Sequence, residues 1–190
     1  LPLPGRHNAT NAAGAATIAV ELGVPFDAVQ RALAGFRGVA RRFQFRGERD
    51  GITFVDDYAH LPGEVASMID AAREGAWERV IAVFQPHLYS RTKALATELG
   101  AALAAADEVA VLDVYPAREE PVGPLAGVSG LMVAEAAADH SRGGRVWWLP
   151  SADAAASALG PRLGEGDVLI TIGAGDINKL GEALVNGEAR

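Results

Sequence analysis

Cysteine is absent from the 190-residue sequence, and lysine occurs only at Lys93 and Lys179. The lack of cysteine excludes disulfide bonds, thiolate zinc sites and cysteine nucleophiles. Scarce lysine in a chain of net charge −7 argues against a protein that binds nucleic-acid phosphates. No apolar run reaches the roughly 18 residues of a membrane-spanning helix, and residues 1–6 do not resemble a signal peptide. We therefore expect a cytoplasmic protein that binds neither nucleic acid nor membranes.

Signatures of complete catalytic centres are missing as well. The sequence contains no phosphate-binding loop of the form GxxxxGK[ST], no HExxH zinc motif and no GxSxG nucleophile motif. We therefore expect neither a complete catalytic centre nor a metal site within this chain. Because the sequence starts without methionine and enters a helical pattern at once, we also expect it to be part of a longer protein.

The first 40 residues differ in pattern from the rest of the chain. An alanine-rich stretch predicts a helix over residues 8–22, and a second helix is predicted over residues 28–34. Residues 36–43 (FRGVARRF) carry three arginines and show no apolar periodicity. We interpret this stretch as a linker or domain boundary near residue 40.

Beyond residue 43, short apolar strands alternate with helices. A hairpin is predicted first, with strands over 44–47 and 52–56 joined by an Arg-Asp-Gly turn. The alternation that follows predicts an α/β fold, with a mostly parallel sheet covered by helices on both faces. The predicted helices are 64–73, 91–105, 130–139, 152–163 and 178–185, and the predicted strands are 79–85, 108–113, 145–149 and 167–172.

Polar and titratable residues gather where the predicted strands end. The segments concerned are 56–60, 85–91, 113–116 and 173–176. In open parallel sheets, ligands bind at the carboxyl ends of the strands. His60 and His87 lie in these segments, so both are candidate functional residues. The glycines of 173–175 do not fit a dinucleotide fingerprint, and we interpret them as a tight turn at the sheet edge.

Arg91 is placed against the local helix propensity. Ser90 is a good N-cap residue, which would put Arg91 in the first helical turn, where a cation opposes the helix dipole. Arg91 and the helix N-terminus together could hold a carboxylate or a phosphate. The alternative is an ion pair of Arg91 with Glu98 or Asp113.

Two charged dipeptides leave alternatives open. Side chains of Asp56 and Asp57 point to opposite sides of an extended chain. One could face a ribose or a cation while the other caps a turn, or both could be turn residues. Of Arg41 and Arg42, one could reach across a cleft to a phosphate, or both could be solvated charges at a hinge.

His7, Asn8 and Asn11 open the first predicted helix. Asn8 and Asn11 are three residues apart and share one helix face. Their side-chain amides could contact a purine edge, or Asn8 could simply cap the helix.

Five sequence blocks resemble, in the same order, blocks of the Mur ligases: PGRHNATNA, GVARRFQ, DDYAHLPGE, VFQPHLYSRT and DVYPAREEP. The chain is most similar to the family members that add L-alanine to UDP-N-acetylmuramate. The resemblance implies an ATP-dependent ligase that acts through an acyl phosphate in peptidoglycan synthesis, and thereby in cell-wall biogenesis, cell shape and cell division.

The resemblance also implies a domain organisation. Residues 1–40 would be the last helices of a central ATP-binding domain, and residues 41–190 the Rossmann-like C-terminal domain that receives the amino acid. The phosphate-binding loop and most Mg²⁺ ligands would lie upstream. We therefore expect this chain to fold but to be inactive alone.

For the nucleotide, the resemblance implies that His7, Asn8 and Asn11 lie on the adenine side of ATP. Arg42 would reach the phosphates and so act in catalysis, and Asp57 would bind the ribose hydroxyls.

For the amino acid, the resemblance implies a wall formed by Tyr58, His60, His87 and Arg91. Arg91 would bind the carboxylate of L-alanine, and His60 or His87 would assist deprotonation of its amine.

Three residues depart from the usual family blocks. Leu61 and Gly63 replace a histidine and a threonine, and Leu88 replaces an arginine. These changes leave open a small amino acid other than L-alanine.

Two other functions remain as alternatives. One is a ribose-phosphate-binding domain like a phosphoribosyltransferase, although Tyr58–Pro62 replaces the Thr/Gly-rich loop that such a site would need. The other is a ligand-binding domain without catalytic activity.

Overall fold

A six-stranded sheet with helices packed on both faces forms the body of the computed structural model, which describes residues 1–188. The helices are α1 (Arg6–Glu21), α2 (Phe26–Gly35), α3 (Pro62–Arg73), α4 (Tyr89–Leu103), α5 (Leu131–His140), α6 (Ala152–Leu159) and α7 (Asn178–Asn186). The strands are β1 (Gln44–Arg49), β2 (Ile52–Asp57), β3 (Arg79–Phe84), β4 (Glu108–Val111), β5 (Arg145–Trp148) and β6 (Asp167–Ile172). The strand order is β1-β2-β6-β3-β4-β5, and only the β1–β2 pair is antiparallel. The predicted α/β fold class is thus confirmed.

Every predicted helix and strand forms, with small differences at the ends. The largest difference is at α6, which ends at Leu159 and continues as a 3₁₀ turn over Gly160–Arg162. Pro161 accounts for this early end, because proline has no N–H to donate within the helix.

Alternation along the strands creates two separate apolar layers. On β3, Val80, Ala82 and Phe84 face one layer, while Ile81 and Val83 face the other. Helices α3, α4 and α5 complete the first layer, and α6 and α7 complete the second. The four inner strands β2, β6, β3 and β4 are therefore buried on both sides, as a parallel sheet between two helical layers requires, whereas the outer strands β1 and β5 are only partly covered.

Strand order determines which loops meet at the carboxyl edge of the sheet. β6 lies between β2 and β3, although it is last in sequence. The helix after β3 covers one face and the helix after β6 covers the other, so a crevice opens between their carboxyl ends. The glycines of 173–175 follow β6, so their loop lies at the carboxyl edge of the sheet beside a central strand and not beside an outer one.

The amino edge of the sheet is closed by ion pairs. Asp167 is 2% exposed and accepts two hydrogen bonds from Arg79, at 2.8 and 2.6 Å. Glu108 is 4% exposed, accepts a hydrogen bond from the Trp147 indole at 2.7 Å and lies 3.5 Å from Arg162 Nε. These carboxylates are satisfied by protein groups, which makes this edge structural.

Residues 1–40, called here the N-terminal segment, pack differently from residues 41–188, called the sheet domain. α1 has no buried residue, and Val29 is the single buried residue of α2. The start of α1 abuts α3, where a Cβ added to Gly5 would lie 2.9 Å from the Cβ of Ala71. The segment thus touches the sheet domain at its N-terminal end and leaves most of its apolar side chains exposed.

Among residues 1–188, no helix has both the length and the apolar character needed to cross a membrane.

Candidate functional site

A cavity of about 800 Å³ lies between the N-terminal segment and the sheet domain. Its volume falls in the range of ligand pockets that hold small molecules. The apolar part of the lining includes Leu3, Ala12, Leu33, Phe36, Val39 and Met68. The polar part includes the five residues predicted to bind nucleotide: His7, Asn8, Asn11, Arg42 and Asp57. Residues far apart in sequence therefore meet around one space.

Asp57 ends β2 and is fixed at the wall of this cavity. Its two carboxylate oxygens accept hydrogen bonds from the N–H groups of Phe43 and Ala59, both at 2.7 Å. Burial raises the pKa of Asp57 above its ordinary value, while the two N–H donors and the charge of Arg42 act in the opposite direction. The carboxylate is thus held in one orientation beside the cavity.

Asp56 points away from Asp57, as expected for neighbours on a strand. It is fully buried, and its oxygens contact Arg41 Nε at 2.9 Å and the Thr171 hydroxyl at 2.8 Å. Of the two carboxylates, Asp57 alone lines the cavity.

The two arginines at the segment boundary also separate. Arg42 lines the cavity, its side chain is 50% exposed, and its Nη1 lies 3.8 Å from Glu64 Oε1. Such a long, exposed contact costs little to break, so Arg42 is free to reach a ligand. Arg41 is instead held by the protein, with its side chain 23% exposed.

Asn8 and Asn11 lie on the α1 face that borders the cavity. α1 begins at Arg6, so Asn8 is within the first turn, and its Nδ2 donates to the Pro4 carbonyl at 2.6 Å. The alternative that Asn8 caps the helix is wrong, because Gly5 is the N-cap residue and no side chain caps this end of α1. The Oδ1 of Asn8 is left to accept a hydrogen bond from a ligand.

Four rings form a continuous line across the carboxyl ends of β2, β3 and β4. We call Tyr58, His60, His87 and Tyr115 the aromatic row. Tyr58 meets His60 edge to face with ring centroids 5.5 Å apart, and the His60 and His87 centroids are 6.4 Å apart. His87 stacks on Tyr115 at 5.6 Å with an interplanar angle of 17°. Three of the four residues predicted to receive an amino acid thus stand side by side.

The two histidines of the row differ in their hydrogen bonding. His60 Nδ1 lies 3.0 Å from the Tyr58 carbonyl and 3.5 Å from Glu64 Oε2. His87 Nδ1 is buried without a hydrogen-bond partner among residues 1–188. Burial, followed by the charges of Arg91 and His60, lowers the pKa of His87 below its ordinary value. The neutral form of the His87 imidazole is therefore favoured more than in an ordinary histidine.

Arg91 lies in the first turn of α4 and is half-buried. Its positive charge contributes to lowering the pKa of His87, four residues before it in the sequence. Across the described part of the chain, no carboxylate forms an ion pair with Arg91, so the alternative pairing with Glu98 or Asp113 does not occur. This guanidinium is available to an anion.

The expected N-cap role of Ser90 is wrong. α4 begins at Tyr89 because the chain turns at Leu88, whose φ is 71°. The Ser90 N–H and hydroxyl both donate to Glu119, at 2.8 and 2.5 Å. These bonds lower the pKa of Glu119. The carboxylate of Glu119, which lies in another loop, thus caps the N-terminus of α4.

The leucines that depart from the family blocks occupy different environments. Leu88 is 7% exposed, and its N–H donates to the Tyr115 carbonyl at 2.9 Å. Leu61 is 40% exposed, and its N–H donates to Glu64 Oε2 at 3.2 Å. Leu88 therefore belongs to the packing beneath the aromatic row, whereas Leu61 lies at its surface.

The sequence analysis assigned no role to Glu64 or Tyr115, and it did not distinguish Arg41 from Arg42. Glu64 lies 3.8 Å from Arg42 and also accepts the N–H of His60 at 3.1 Å. Tyr115 forms one end of the aromatic row, and the Arg41 guanidinium lies over the Tyr58 ring at the other end. The only available signals were the position of Tyr115 at a strand end and of Arg41 next to Arg42.

Metal ligands are sparse in this chain. Residues 1–188 contain no group of three or more His, Asp or Glu side chains that could hold a metal ion. The residues described here do not, by themselves, build a Mg²⁺ site.

Comparison with protein-family models matches residues 41–175 to the model described as "Mur ligase, glutamate ligase domain". The chain is 50% identical over 195 residues to a UDP-N-acetylmuramate–L-alanine ligase of Mycolicibacterium paratuberculosis, covering 97% of the chain and 38% of that protein. It is also 50% identical over 187 residues to the ligase of the same name from Kineococcus radiotolerans, covering 98% of the chain and 39% of that protein. The chain therefore spans about two-fifths of the length of the curated relatives it matches.

Solved structures show the same fold. The UDP-N-acetylmuramate–alanine ligase of Thermotoga maritima superimposes with a TM-score of 0.80 at 28% identity, over 99% of this chain and 39% of that one. A MurF ligase from the same organism, in complex with ADP, superimposes with a TM-score of 0.68 at 20% identity, over 98% of this chain and 39% of that one. The second likeness concerns the fold alone.

Proposed function

The chain belongs to the Mur ligase family, and from that premise we propose that it is the C-terminal part of an ATP-dependent ligase joining L-alanine to UDP-N-acetylmuramate. The observation that supports the proposal is that the cavity and the aromatic row lie next to each other at the carboxyl edge of the sheet. In this proposal, residues 1–40 are the last helices of the central ATP-binding domain, and residues 41–190 form the C-terminal domain. Two relatives that are 50% identical to this chain over the aligned residues are named UDP-N-acetylmuramate–L-alanine ligases.

The cavity is the proposed site for the nucleoside part of ATP. Its apolar lining suits a purine ring, and the free Oδ1 of Asn8 and the amide of Asn11 can meet the polar edge of that ring. Asp57, held by two N–H donors, can accept both ribose hydroxyls. Arg42 lines the same space and can extend to the phosphates, where its charge offsets the repulsion between anionic groups.

The aromatic row with Arg91 is the proposed site for L-alanine. A carboxylate binds a guanidinium strongly, and Arg91 has no competing protein carboxylate among residues 1–188. The amine of L-alanine must lose a proton before it can attack. The lowered pKa of His87 favours its neutral imidazole, which can accept that proton, and His60 lies next to it.

The overall reaction follows from the chemistry of a carboxylate, which is a poor electrophile. ATP phosphorylates the carboxylate of UDP-N-acetylmuramate to give an acyl phosphate. The alanine nitrogen then bonds to the acyl carbon, and phosphate leaves with the electron pair of the broken C–O bond. Mg²⁺ would neutralise phosphate charge on ligands outside this chain, while Arg42 supplies positive charge from within it.

Cytoplasmic location and a role in cell-wall biogenesis, cell shape and cell division follow from this proposal, because ATP is the energy source and a peptidoglycan precursor is the product. The alternative of a ribose-phosphate site has no support in the loop after Asp57. That loop builds the aromatic row in place of a glycine-rich phosphate loop.

Steady-state kinetics of the full-length enzyme test the proposal. ADP formation should require UDP-N-acetylmuramate and L-alanine together, and the chain of residues 1–190 alone should show no turnover. Arg91→Ala should raise the KM for alanine by an amount equivalent to about 1.5–3 kcal/mol, because a charge-assisted hydrogen bond is lost.

Lys93→Ala is the matched control, since Lys93 is an exposed cation of the same helix that bonds the Pro124 carbonyl. It should leave the alanine KM unchanged. An unchanged alanine KM in Arg91→Ala would remove Arg91 from the site, and a lower KM for glycine or serine than for alanine would reassign the substrate.

A further inference from the structure

Arg41 contacts three parts of the sheet domain at once. Its Nε bonds the buried carboxylate of Asp56 at 2.9 Å. Its Nη2 and Nη1 donate to the carbonyls of Gly173 and Gly175, at 2.7 and 3.0 Å. One planar guanidinium therefore ties the end of β2 to the loop after β6.

This arrangement depends on an unusual backbone at Arg41. Its φ is 58°, in the left-handed region that is costly for residues other than glycine. The Arg41 N–H donates to Gln44 Oε1 at 2.8 Å, and its carbonyl accepts the Tyr58 N–H at 2.8 Å. Backbone and side chain of Arg41 are thus both used to fix its position.

Arg41 reaches the first ring of the aromatic row directly. Its guanidinium carbon lies 5.1 Å from the centroid of the Tyr58 ring, a cation–π distance. Together with the Tyr58 N–H bond, this contact holds Tyr58 in place at one end of the row.

Arg41 reaches the last ring through Gly175. A Cβ added to Gly175 would lie 2.7 Å from Cγ of Tyr115 and 2.5 Å from Oε1 of Gln85. The Gly175 backbone is therefore in direct contact with the Tyr115 ring, whose position it limits. Tyr115 in turn stacks on His87.

His87 needs this support because its own hydrogen bonds do not orient it fully. Its Nδ1 is buried without a partner among the described residues. The angle of its ring is consequently set by packing against Tyr115 and His60.

We propose that Arg41 is a positioning residue that holds the aromatic row in register by supporting both of its ends. Adjacent arginines then have separate tasks. Arg42 faces the cavity, and Arg41 orients the wall beside it. The expected effect of Arg41 on the use of L-alanine rests on the function proposed above. Its role in holding the aromatic row does not depend on that function.

Arg41→Lys is the decisive variant. Lysine keeps the positive charge near Asp56, but its ammonium is a point donor and cannot serve Asp56, Gly173 and Gly175 together. Arg46→Lys is the matched control, because Arg46 lies on β1 and pairs with Glu182, outside the row.

Proton NMR of the histidine and tyrosine rings of the chain measures the effect of each substitution on the aromatic row. In Arg41→Lys, the ring resonances of His87 and Tyr115 should move, while those of exposed His140 should not. In Arg46→Lys, none of these should move. Ring resonances of His87 and Tyr115 that superimpose on those of the wild type in Arg41→Lys would overturn the proposal.

If Arg41→Lys does not fold, Arg41→Met combined with Asp56→Asn gives the same measurement. That pair of changes leaves no unpaired buried charge, and the introduced asparagine would still face the Thr171 hydroxyl.

Steady-state kinetics of the full-length enzyme measure the effect of Arg41→Lys on catalysis. Arg41→Lys should lower kcat/KM for L-alanine by about 10–100-fold, since small displacements of positioning groups cost that much, and leave the KM for ATP unchanged. A KM for ATP that rises as much as the KM for L-alanine would overturn the positioning role. A wild-type enzyme without alanine-dependent ADP formation would refute the proposed function, while the NMR result on Arg41 would still stand.

Discussion

The N-terminal segment and the sheet domain differ in how they bury apolar side chains. The sheet domain has a layer on each face of the sheet, with side chains such as Phe84 and Ile170 fully buried. The N-terminal segment has one buried apolar residue, Val29, and exposes Ile18, Leu22 and Phe26 by 60% or more of their surface. Helices α1 and α2 thus contribute almost nothing to a hydrophobic core.

This difference explains where the candidate nucleotide cavity lies. It is bounded on one side by a unit with its own core and on the other by two helices that lack one. Asp57 and Arg42 are positioned by the sheet domain, whereas Asn8 and Asn11 are positioned by helices whose own stability is low. The two sides of the cavity should therefore respond differently to substitution.

Matched phenylalanine truncations should show the largest difference. Phe84→Ala removes a fully buried ring and should lower the free energy of unfolding by about 3–5 kcal/mol. Phe26→Ala removes a ring that is 61% exposed and should change it by less than about 0.5 kcal/mol. Urea unfolding followed by circular dichroism measures both. Similar losses in the two variants would show that the N-terminal segment has a core of its own.

Two matched glycine-to-alanine substitutions should change stability in opposite directions. Gly100 of α4 packs against α5, where an added Cβ would lie 2.5 Å from the Cβ of Ala136, so Gly100→Ala should cost about 1–3 kcal/mol. Gly14 of α1 has no atom within 4 Å of an added Cβ, so Gly14→Ala should stabilise α1 by about 0.5–1 kcal/mol.

Amide hydrogen exchange in α1 and urea unfolding of the whole chain distinguish these outcomes. A destabilised α1 in Gly14→Ala would mean that this helix face is packed rather than open.

The pH dependence of stability should show a smaller effect, confined to the sheet domain. The pKa of His87 is lowered on folding, so the unfolded chain binds a proton that the folded chain does not. Stability should therefore rise with pH between the lowered pKa and the ordinary value of 6.5. His87→Gln should reduce this slope, and His140→Gln should not. A slope that is unchanged in His87→Gln would contradict the lowered pKa of His87.

The elements of the fold followed from the sequence because their signals are local. Strands such as β6 and helices such as α3 were predicted within two residues of their observed ends. The place of β6 between β2 and β3 was not predictable from periodicity, since it depends on pairing between distant segments.

Some features of the candidate site were likewise predictable from the local sequence, whereas others depend on contacts between distant segments. Opposite orientations of Asp56 and Asp57 followed from strand alternation, and the family inferred from five sequence blocks is confirmed. The separate positions of Arg41 and Arg42 did not follow from the sequence, because they depend on the left-handed backbone of Arg41 and on carbonyls up to 134 residues away. The roles assigned to the individual side chains remain predictions.

Separate NMR titrations of this chain with ADP and with L-alanine test the central claim that one cavity and one neighbouring wall receive different ligands. ADP should shift the amide resonances of His7, Asn8, Asn11 and Asp57, and L-alanine should shift those of His60, His87 and Arg91. A chain lacking residues 1–40 should lose the response to ADP. ADP shifts that fall on the aromatic row, or that persist without residues 1–40, would contradict the account.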